Sequence, residues 1–512
     1  MIFTSIKFFI FFPIVVAIFF LLPHRFRWVH LLVASYYFYM AWKPVYALLM
    51  VYSTLTAYVV GRLLGKYEDQ SKRKSILAAG IFLNLGALFF FKYYDFFEKQ
   101  SRAVSDYLGI TLHLPSWDFL LPIGISFYTF HALSYVIDVY NRKVGAEKHL
   151  GLLAIYIAFF PQLVAGPIQR SSNMLPQLNT LLPKNIKFKI HFEYDRIVSG
   201  LSLMFLGFFK KVVLADNFAL IVQPVYASPS DYSGFSALVA TLAFAFQIFF
   251  DFSAYTDIAR GASRTLGFEL MENFQRPYFA ENIQDFWRRW HISMSSWFRD
   301  YLYIPLGGDR VSRWRWILNL WIVFLLCGLW HGANWTFVVW GALHGIYYFM
   351  TYLLTPSARW LVSRTFLSKF PAFCHSVMVL ITFSMVCWAW VAFRADNIST
   401  AVTIWRCILR IPLEVIEYFK LVVYDKIPFH PMTGMGLEWL AMPSGKLSLM
   451  PVYLLLLTMA YFIMTFKLRR EESVVQFSGW PTAFRWASYF SGTVGILLLG
   501  QFGAAQFIYF QF

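Results

Sequence analysis

Long apolar runs joined by short polar and basic connections set the pattern of this chain. At about 20 residues per crossing, the runs near 8–22, 28–42, 45–64, 76–94, 119–139, 150–166, 197–222, 234–250, 316–334, 335–354, 376–393, 450–466 and 488–510 predict membrane spans. Several are short or interrupted by Pro or Gly. The expected fold is an all-α polytopic membrane protein of roughly 10–13 transmembrane or re-entrant helices. Broken helices at membrane depth survive only where protein or a cavity covers the freed backbone groups. The longest polar connections, near 167–195 and 411–448, are too small for a separate core. Residues 1–512 therefore read as a single integral membrane domain. The first run follows Lys7 and looks somewhat like a signal peptide. It lacks a small-x-small cleavage pattern and another run follows closely, so a retained first helix is expected.

Composition agrees. Hydrophobic residues make up 59% and charged residues 14%, against about 25% charged in an average soluble domain. Mean hydropathy is +0.55. The net charge of +17 would suit nucleic acid in a soluble protein. Here the cations cluster between apolar runs, which fits topology determinants and membrane-lipid contact instead, with no nucleic-acid partner. Arg25 and Arg27 follow the first run, Arg62, Lys66, Lys72, Arg73 and Lys74 the third, and Arg142, Lys143 and Lys148 the fifth. With those loops in the cytoplasm, the N-terminus faces outward and the mixed-charge connection 95–118 is external. Cys327, Cys374, Cys387 and Cys407 lie in or beside apolar segments without a CxxC pair and read as small buried hydrophobes. No HExxH or similar spacing occurs, so no metal site is expected.

Two histidines change the picture. His331 lies in Cys327-Gly-Leu-Trp-His-Gly-Ala-Asn-Trp335, and no Asp, Glu, Lys or Arg occurs from Trp316 to Ala358. A titratable ring in such surroundings is a functional-site hypothesis by default. His291 ends Phe286-Trp-Arg-Arg-Trp-His. Imidazole is the side chain best suited to moving a proton near neutral pH. Cys327 lies one helical turn before His331, so a thiol relay is a further option. His131, His344 and His375 are single histidines and read as hydrogen-bonded packing residues.

Around His291, residues 272–315 carry seven arginines and no lysine, interleaved with aromatics. On one continuous helix, Arg288, His291, Ser295 and Arg299 would share a face, with Phe286, Trp290, Ser293, Trp297 and Tyr301 on another. Such a helix is either an interfacial element with snorkelling arginines or a wall for a planar anion, which guanidinium grips bidentately. Asp251 and Asp257 follow an apolar run. Asp251, with Tyr255 one turn on, either satisfies buried polar groups or orients a catalytic histidine, and Asp300 beside Arg299 is a further such candidate.

At this point the strings themselves are informative. Arg276-Pro-Tyr, Asp285-Phe-Trp-Arg-Arg-Trp-His291-Ile-Ser and Trp297-Phe-Arg-Asp-Tyr-Leu-Tyr-Ile-Pro-Leu-Gly-Gly308 resemble one signature of the membrane-bound O-acyltransferase family. Gly328-Leu-Trp-His331-Gly-Ala-Asn-Trp and Trp340-Gly-Ala-Leu-His-Gly345 resemble its second. Leu121-Pro-Ile-Gly-Ile-Ser-Phe-Tyr-Thr-Phe130, Phe160-Pro-Gln-Leu-Val-Ala-Gly-Pro167 and Trp390-Val-Ala-Phe-Arg394 are similar too. The signature core spans about 121–395, with C-terminal helices over about 396–512, and it looks most like the bacterial branch that O-acetylates alginate. The resemblance implies helices around a catalytic funnel or tunnel in the bacterial inner membrane. It also implies that His331 and His291 are the family's two histidines, and that acetyl moves toward hydroxyls of an exported polysaccharide.

The chemistry that fits is acyl transfer from a thioester, with His331 as general base and His291 orienting the acceptor or relaying a proton. Asn334 or a Trp indole N–H would stabilise the oxyanion. Trp290, Trp330, Arg276, Arg288, Arg289 and Arg299 are the candidate contacts to substrate or donor. Acetyl-CoA or another acyl thioester is the expected donor substrate, with no tightly bound cofactor. An extracytoplasmic acetyltransferase is the expected partner. The alternatives are transfer of a different acyl group, such as D-alanyl to teichoic acid, and a non-catalytic transporter or scaffold for an external acetylase.

Overall fold

A computed structural model of the chain describes residues 1–110, 114–115, 121–424, 450–468, 481–503 and 507–508. Among the described residues all regular structure is helical. Seven helices among the described residues are long and apolar enough to cross a membrane: Pro44–Lys66, Gln70–Tyr107, Tyr194–Ala227, Gly234–Thr265, Arg313–His331, Trp335–Arg364 and Pro371–Arg394. Ile6–Leu21 and Val452–Ile463 are shorter apolar helices. The protein is a multi-pass membrane protein.

Several expected spans change. The run 150–166 is helical only over Leu150–Ala158 and then turns irregularly through Pro161 and Pro167. Proline lacks the N–H that a continuing helix needs. The run 119–139 becomes Ile125–Tyr140, buried at all but Ile137 and Tyr140; residues 119–120 lie outside the described residues. It is a core helix, buried on nearly every face, with Ser126, Thr129, His131, Ser134 and Asp138 among its buried residues. The connection 95–118 is not a simple loop. Gln70–Leu88 runs through a π-turn at Phe89–Tyr93 into Tyr94–Tyr107, a 38-residue helix about 57 Å long at 1.5 Å per residue. Residues 111–113 and 116–118 of that connection lie outside the described residues. The run 488–510 becomes Thr482–Leu499, with 504–506 and 509–510 outside the described residues. Of the polar connection 411–448, the first part is helical within Ile398–Tyr424, and 425–448 lies outside the described residues.

Contacts divide the chain into two compact units. The first comprises Met1–Gly207, Tyr255–Asn273 and Ser296–Leu302. It holds a polar network around the buried Asp138. Asp138, 1% exposed, accepts hydrogen bonds from Ser171 Oγ at 2.7 Å and Tyr301 O–H at 2.9 Å. Arg170 donates to Ser296 and pairs with Asp300 at 3.3 Å. Trp297 stacks on Phe130 with centroids 3.8 Å apart and donates its indole N–H to Ser134 at 2.9 Å. These partners meet the rule that buried polar groups must be hydrogen-bonded.

The second unit comprises Phe208–Ala254, Phe274–Ser295 and Tyr303–Phe512. Arg313–His331 and Trp335–Arg364 form a close helical hairpin. A Cβ on Gly328 would lie 2.3 Å from the Phe337 carbonyl oxygen, and one on Gly341 2.4 Å from that of Phe324. Only glycine permits this backbone approach, the small-residue packing typical of membrane helices. The hairpin closes through Gly332, Ala333 and Asn334. Asn334 caps the second helix, accepting from Thr336 N–H at 3.1 Å.

Candidate active site

His331 is the last residue of its helix and 3% exposed, so the glycine-packed hairpin carries it at its closed end. Aromatic rings surround it. Trp330 and Trp340 each lie 4.9 Å away by ring centroids and Phe393 5.3 Å away. Trp340 in turn stacks on Trp390 at 5.8 Å, and Trp390 contacts Trp290 at 5.0 Å. Three separate helices and the turn at 290 therefore build one aromatic chamber within the second unit.

His291 reaches the same chamber by a different device. The expected continuous helix through 286–301 does not form. Ile283–Arg289 ends at Trp290, whose backbone is extended, and Ile292–Phe298 begins beyond His291. His291 itself has φ +44°. This left-handed conformation is uncommon outside glycine, although histidine is enriched there, and it costs on the order of 1–3 kcal/mol. The kink is held by Trp290 N–H to Phe286 O at 2.8 Å, Ser295 N–H to His291 O at 2.9 Å and Ser295 Oγ to Trp290 O at 3.1 Å. The break separates Arg288 from His291 and Ser295, which corrects the expectation of one continuous helix.

The kink turns the His291 ring, fully buried, toward His331. Their centroids are 6.5 Å apart, with Trp330 5.9 Å and Phe252 4.6 Å from His291. That separation is too long for a direct N–H···N bond. Burial pushes the His291 imidazole down to about 3 from 6.5, so the ring is neutral near pH 7. Cys327 lies in the same helix as His331, and its thiol contacts Met294 sulfur at 4.0 Å.

The other candidates are placed as follows. Trp290 and Trp330 lie in the chamber. Asn334 is occupied at the hairpin, where its amide also donates to Asp396 O at 2.8 Å. Arg289 pairs with Asp285 at 2.9 Å, Arg288 is exposed, and Arg276 opens the short turn Pro277–Phe279 with φ +50°. Arg299 pairs with Asp300 at 2.8 Å in the first unit, and Asp300 also meets Arg170. Tyr255 belongs to the first unit too and packs on Phe3 at 4.6 Å. Asp251 does not orient a histidine. Its carboxylate meets Lys211 Nζ at 2.7 Å and accepts from Ile508 N–H at 2.7 Å, while Lys211 also pairs with Asp216 at 2.8 Å. The helix Gly234–Thr265 runs through Asp251, so this carboxylate is mid-helix rather than beyond a span.

His344 packs as expected, 4.9 Å from Trp340 and 5.0 Å from Trp287, but neither ring nitrogen has a hydrogen-bond partner among the described residues. It is thus not the hydrogen-bonded residue expected. His131 is, accepting from Gln169 N–H at 3.2 Å, and His375 pairs at the surface with Glu281 at 2.8 Å. Sequence reasoning did not single out Trp340 and Phe393 as site residues. Their signal lay in the strings around Trp340 and Trp390, nine and fifty-nine residues beyond His331. Among the described residues no three His, Cys, Asp or Glu side chains converge on a metal position.

Comparison with known proteins agrees with the motifs. Residues 114–393 match the model of the membrane-bound O-acyltransferase family. The chain is 37% identical over 408 residues to the probable alginate O-acetylase AlgI of Pseudomonas aeruginosa, covering 79% of this chain and 74% of that one. It is 36% identical to the peptidoglycan O-acetyltransferase of Helicobacter pylori over 73% and 72% of the two chains. To the teichoic acid D-alanyltransferase of Bacillus subtilis it is 29% identical over 55% and 70%. With a family model covering more than half its length and such relatives along most of it, the chain belongs to the membrane-bound O-acyltransferase family and is an O-acyltransferase.

Proposed function

We propose that this enzyme moves acetyl from a cytoplasmic thioester of the acetyl-CoA type toward hydroxyls of an exported polysaccharide, with His331 as general base. The observation that carries this reading is the pairing of two buried imidazoles, 6.5 Å apart, inside an aromatic chamber at the end of a glycine-packed hairpin. Relatives named as an alginate O-acetylase and a peptidoglycan O-acetyltransferase support acetyl as the group and a polysaccharide as the acceptor class.

A hydroxyl bound between the rings gives its proton to His331 as its oxygen attacks the thioester carbonyl. The C–S bond breaks, the C–O bond forms, and the proton passes from His331 to the departing thiolate. His291, neutral in its buried site, accepts or donates one hydrogen bond to position the hydroxyl. The oxyanion needs a donor in a dry site. Asn334 is occupied at the cap, whereas the Trp340 indole N–H is buried with no acceptor among the described residues. Trp340 therefore replaces Asn334 in that role. Trp290 and Trp330 shape the chamber against the acyl group. Arg276, Arg288, Arg289 and Arg299 are the candidates for the donor's phosphates, and Asp285 and Asp300 already anchor Arg289 and Arg299.

The bacterial inner membrane, with the N-terminus periplasmic, is the setting that the basic loops favour. An extracytoplasmic acetyltransferase would complete delivery to a long polymer. D-alanyl transfer is the weaker reading, since the D-alanyltransferase relative is less similar over less of the chain. The test is transfer of labelled acetyl from acetyl-CoA by the purified full-length protein, with a short oligosaccharide acceptor and its Trp340→Phe and His331→Ala variants. Label in an alkali-labile ester that is lost in His331→Ala and reduced in Trp340→Phe supports the reading. Equal labelling by His331→Ala refutes it.

A further inference from the structure

The first unit contains two adjoining hollows that the acyl-transfer chemistry does not use. One, of about 530 Å³, is lined by Arg62, Lys66, Arg73, Arg142 and Lys148, with Glu68 as its acidic residue. The other, of about 550 Å³, is lined by Trp28, Leu32, Val51, Leu55 and Tyr58, and it also reaches Lys148. Both volumes fall in the range of small-molecule sites. The two are connected along one helix face, because Val51, Leu55, Tyr58 and Arg62 follow one another at spacings of four, three and four in Pro44–Lys66. An apolar groove on a membrane-spanning helix thus ends in a cationic pocket where that helix leaves its apolar stretch.

The pocket is built rather than incidental. Gly61 and Gly65 sit one turn apart, and a Cβ on them would lie 2.5 Å from Tyr135 Oη and 2.6 Å from Ala146 Cβ. Glycine there lets the 144–148 loop lie against the helix. Tyr58 O–H donates to Lys148 O at 3.0 Å, and Glu147 N–H donates to Tyr135 Oη at 2.9 Å, which fixes the loop that carries Lys148. Arg73 is buried and donates to the carbonyls of Leu64, Tyr67, Val139 and Tyr140, so its charge meets no carboxylate. Glu68 pairs with Arg142. Arg62, Lys66 and Lys148 have no ion pair among the described residues. Five cations face one acid, beside a groove lined mainly by aromatic and aliphatic residues, with Thr54 and His149 among them.

We propose that this composite hollow is a binding site for an anionic phospholipid, with the headgroup phosphate among Arg62, Lys66 and Lys148 and an acyl chain along Val51, Leu55 and Tyr58. A soluble phosphate would use the pocket and leave the groove unexplained. A neutral lipid would use the groove and leave the uncompensated charge unexplained.

The test is lipid retention by the purified full-length protein, read by native mass spectrometry during titration with phosphatidylglycerol or phosphatidylcholine of matched chains. Phosphatidylglycerol should be retained in preference. Arg62→Gln with Lys148→Gln should weaken retention by about fivefold per cation, roughly 25-fold together. Leu55→Trp, which fills the groove, should weaken it with every cation in place, and millimolar inorganic phosphate should not displace the lipid. Arg310→Gln with Arg313→Gln removes equal charge elsewhere and should leave retention within about twofold. If the double variant does not fold, Lys148→Gln alone and Leu55→Trp carry the same comparison. Equal retention of the two lipids overturns the proposal. So does an equal loss in the Arg310/Arg313 control, or displacement by phosphate together with an inert Leu55→Trp.

Discussion

In Lys211→Met, two buried carboxylates lose the ammonium that both contact. Lys211 Nζ lies 2.8 Å from Asp216 and 2.7 Å from Asp251, and the three side chains are 9%, 6% and 2% exposed. Methionine matches the lysine stem closely in volume, so little cavity cost is added. The loss is electrostatic: one buried partner removed from a pair destabilises by about 3–5 kcal/mol. Asp251 keeps the Ile508 N–H at 2.7 Å, which places the expected value near the lower end, about 3 kcal/mol. That is a shift of more than a hundredfold in the folding equilibrium. Reversible unfolding of the purified protein in mixed micelles measures it. Adding Asp251→Asn removes one orphaned charge while its amide oxygen still accepts from Ile508, and should recover about 1–2 kcal/mol. A loss below about 1 kcal/mol for Lys211→Met, with no recovery in the double variant, would refute the reasoning.

Three further outcomes follow from the site. Gly341→Leu places side-chain atoms where the Phe324 carbonyl already lies 2.4 Å from a Cβ, so the hairpin must part; a loss of about 2–3 kcal/mol in the same unfolding assay is expected, and transfer activity should fall with it. His291→Gly relieves the φ of +44° but empties the space of a fully buried ring, so a net stability loss of about 1–3 kcal/mol is expected, while transfer drops by about tenfold or more; retained activity in the folded variant would remove His291 from the mechanism. Because burial lowers His291 to about 3, the unfolded chain takes up a proton below pH 6.5 that the folded chain refuses. Stability of the wild type should therefore fall as pH drops from about 6.5 toward 3, by up to about 1.4 kcal/mol per unit from this group, and be flat above. His291→Gly should lack that share of the slope; identical pH profiles would show that the ring is not held neutral by the fold.

Much of the membrane architecture was legible because composition and period carry it. The helices at 313–331 and 335–364 lie close to the runs expected from their apolar patterns, and the glycine and asparagine between them mark the turn on which His331 sits. The break at Trp290–His291 was not legible. Every residue from 286 to 301 fits a helical repeat, and no glycine or proline marks the kink. It is imposed by packing on all sides of a fully buried ring, a tertiary effect that local pattern cannot report. The helix past residue 95 was missed for the opposite reason: its residues are amphipathic and charged, so hydropathy alone reads them as a loop. Asp251 needed a partner, as any buried carboxylate does. That partner, Lys211, lies forty residues earlier in a π-turn, beyond the reach of periodicity. The arginines around His291 fit either an interfacial helix or a wall for an anion, and Asp285 and Asp300, four residues and one residue away, already answer Arg289 and Arg299.

The most direct measurement is the ester content of the exported polymer from cells making wild type or His331→Ala, at matched membrane levels of the two proteins. Loss of His331 should lower O-acetylation by about a hundredfold or more, the contribution of a general base, with the protein still inserted and folded. O-acetylation close to wild type in His331→Ala cells would contradict a chemical role for the imidazole at the centre of the chamber.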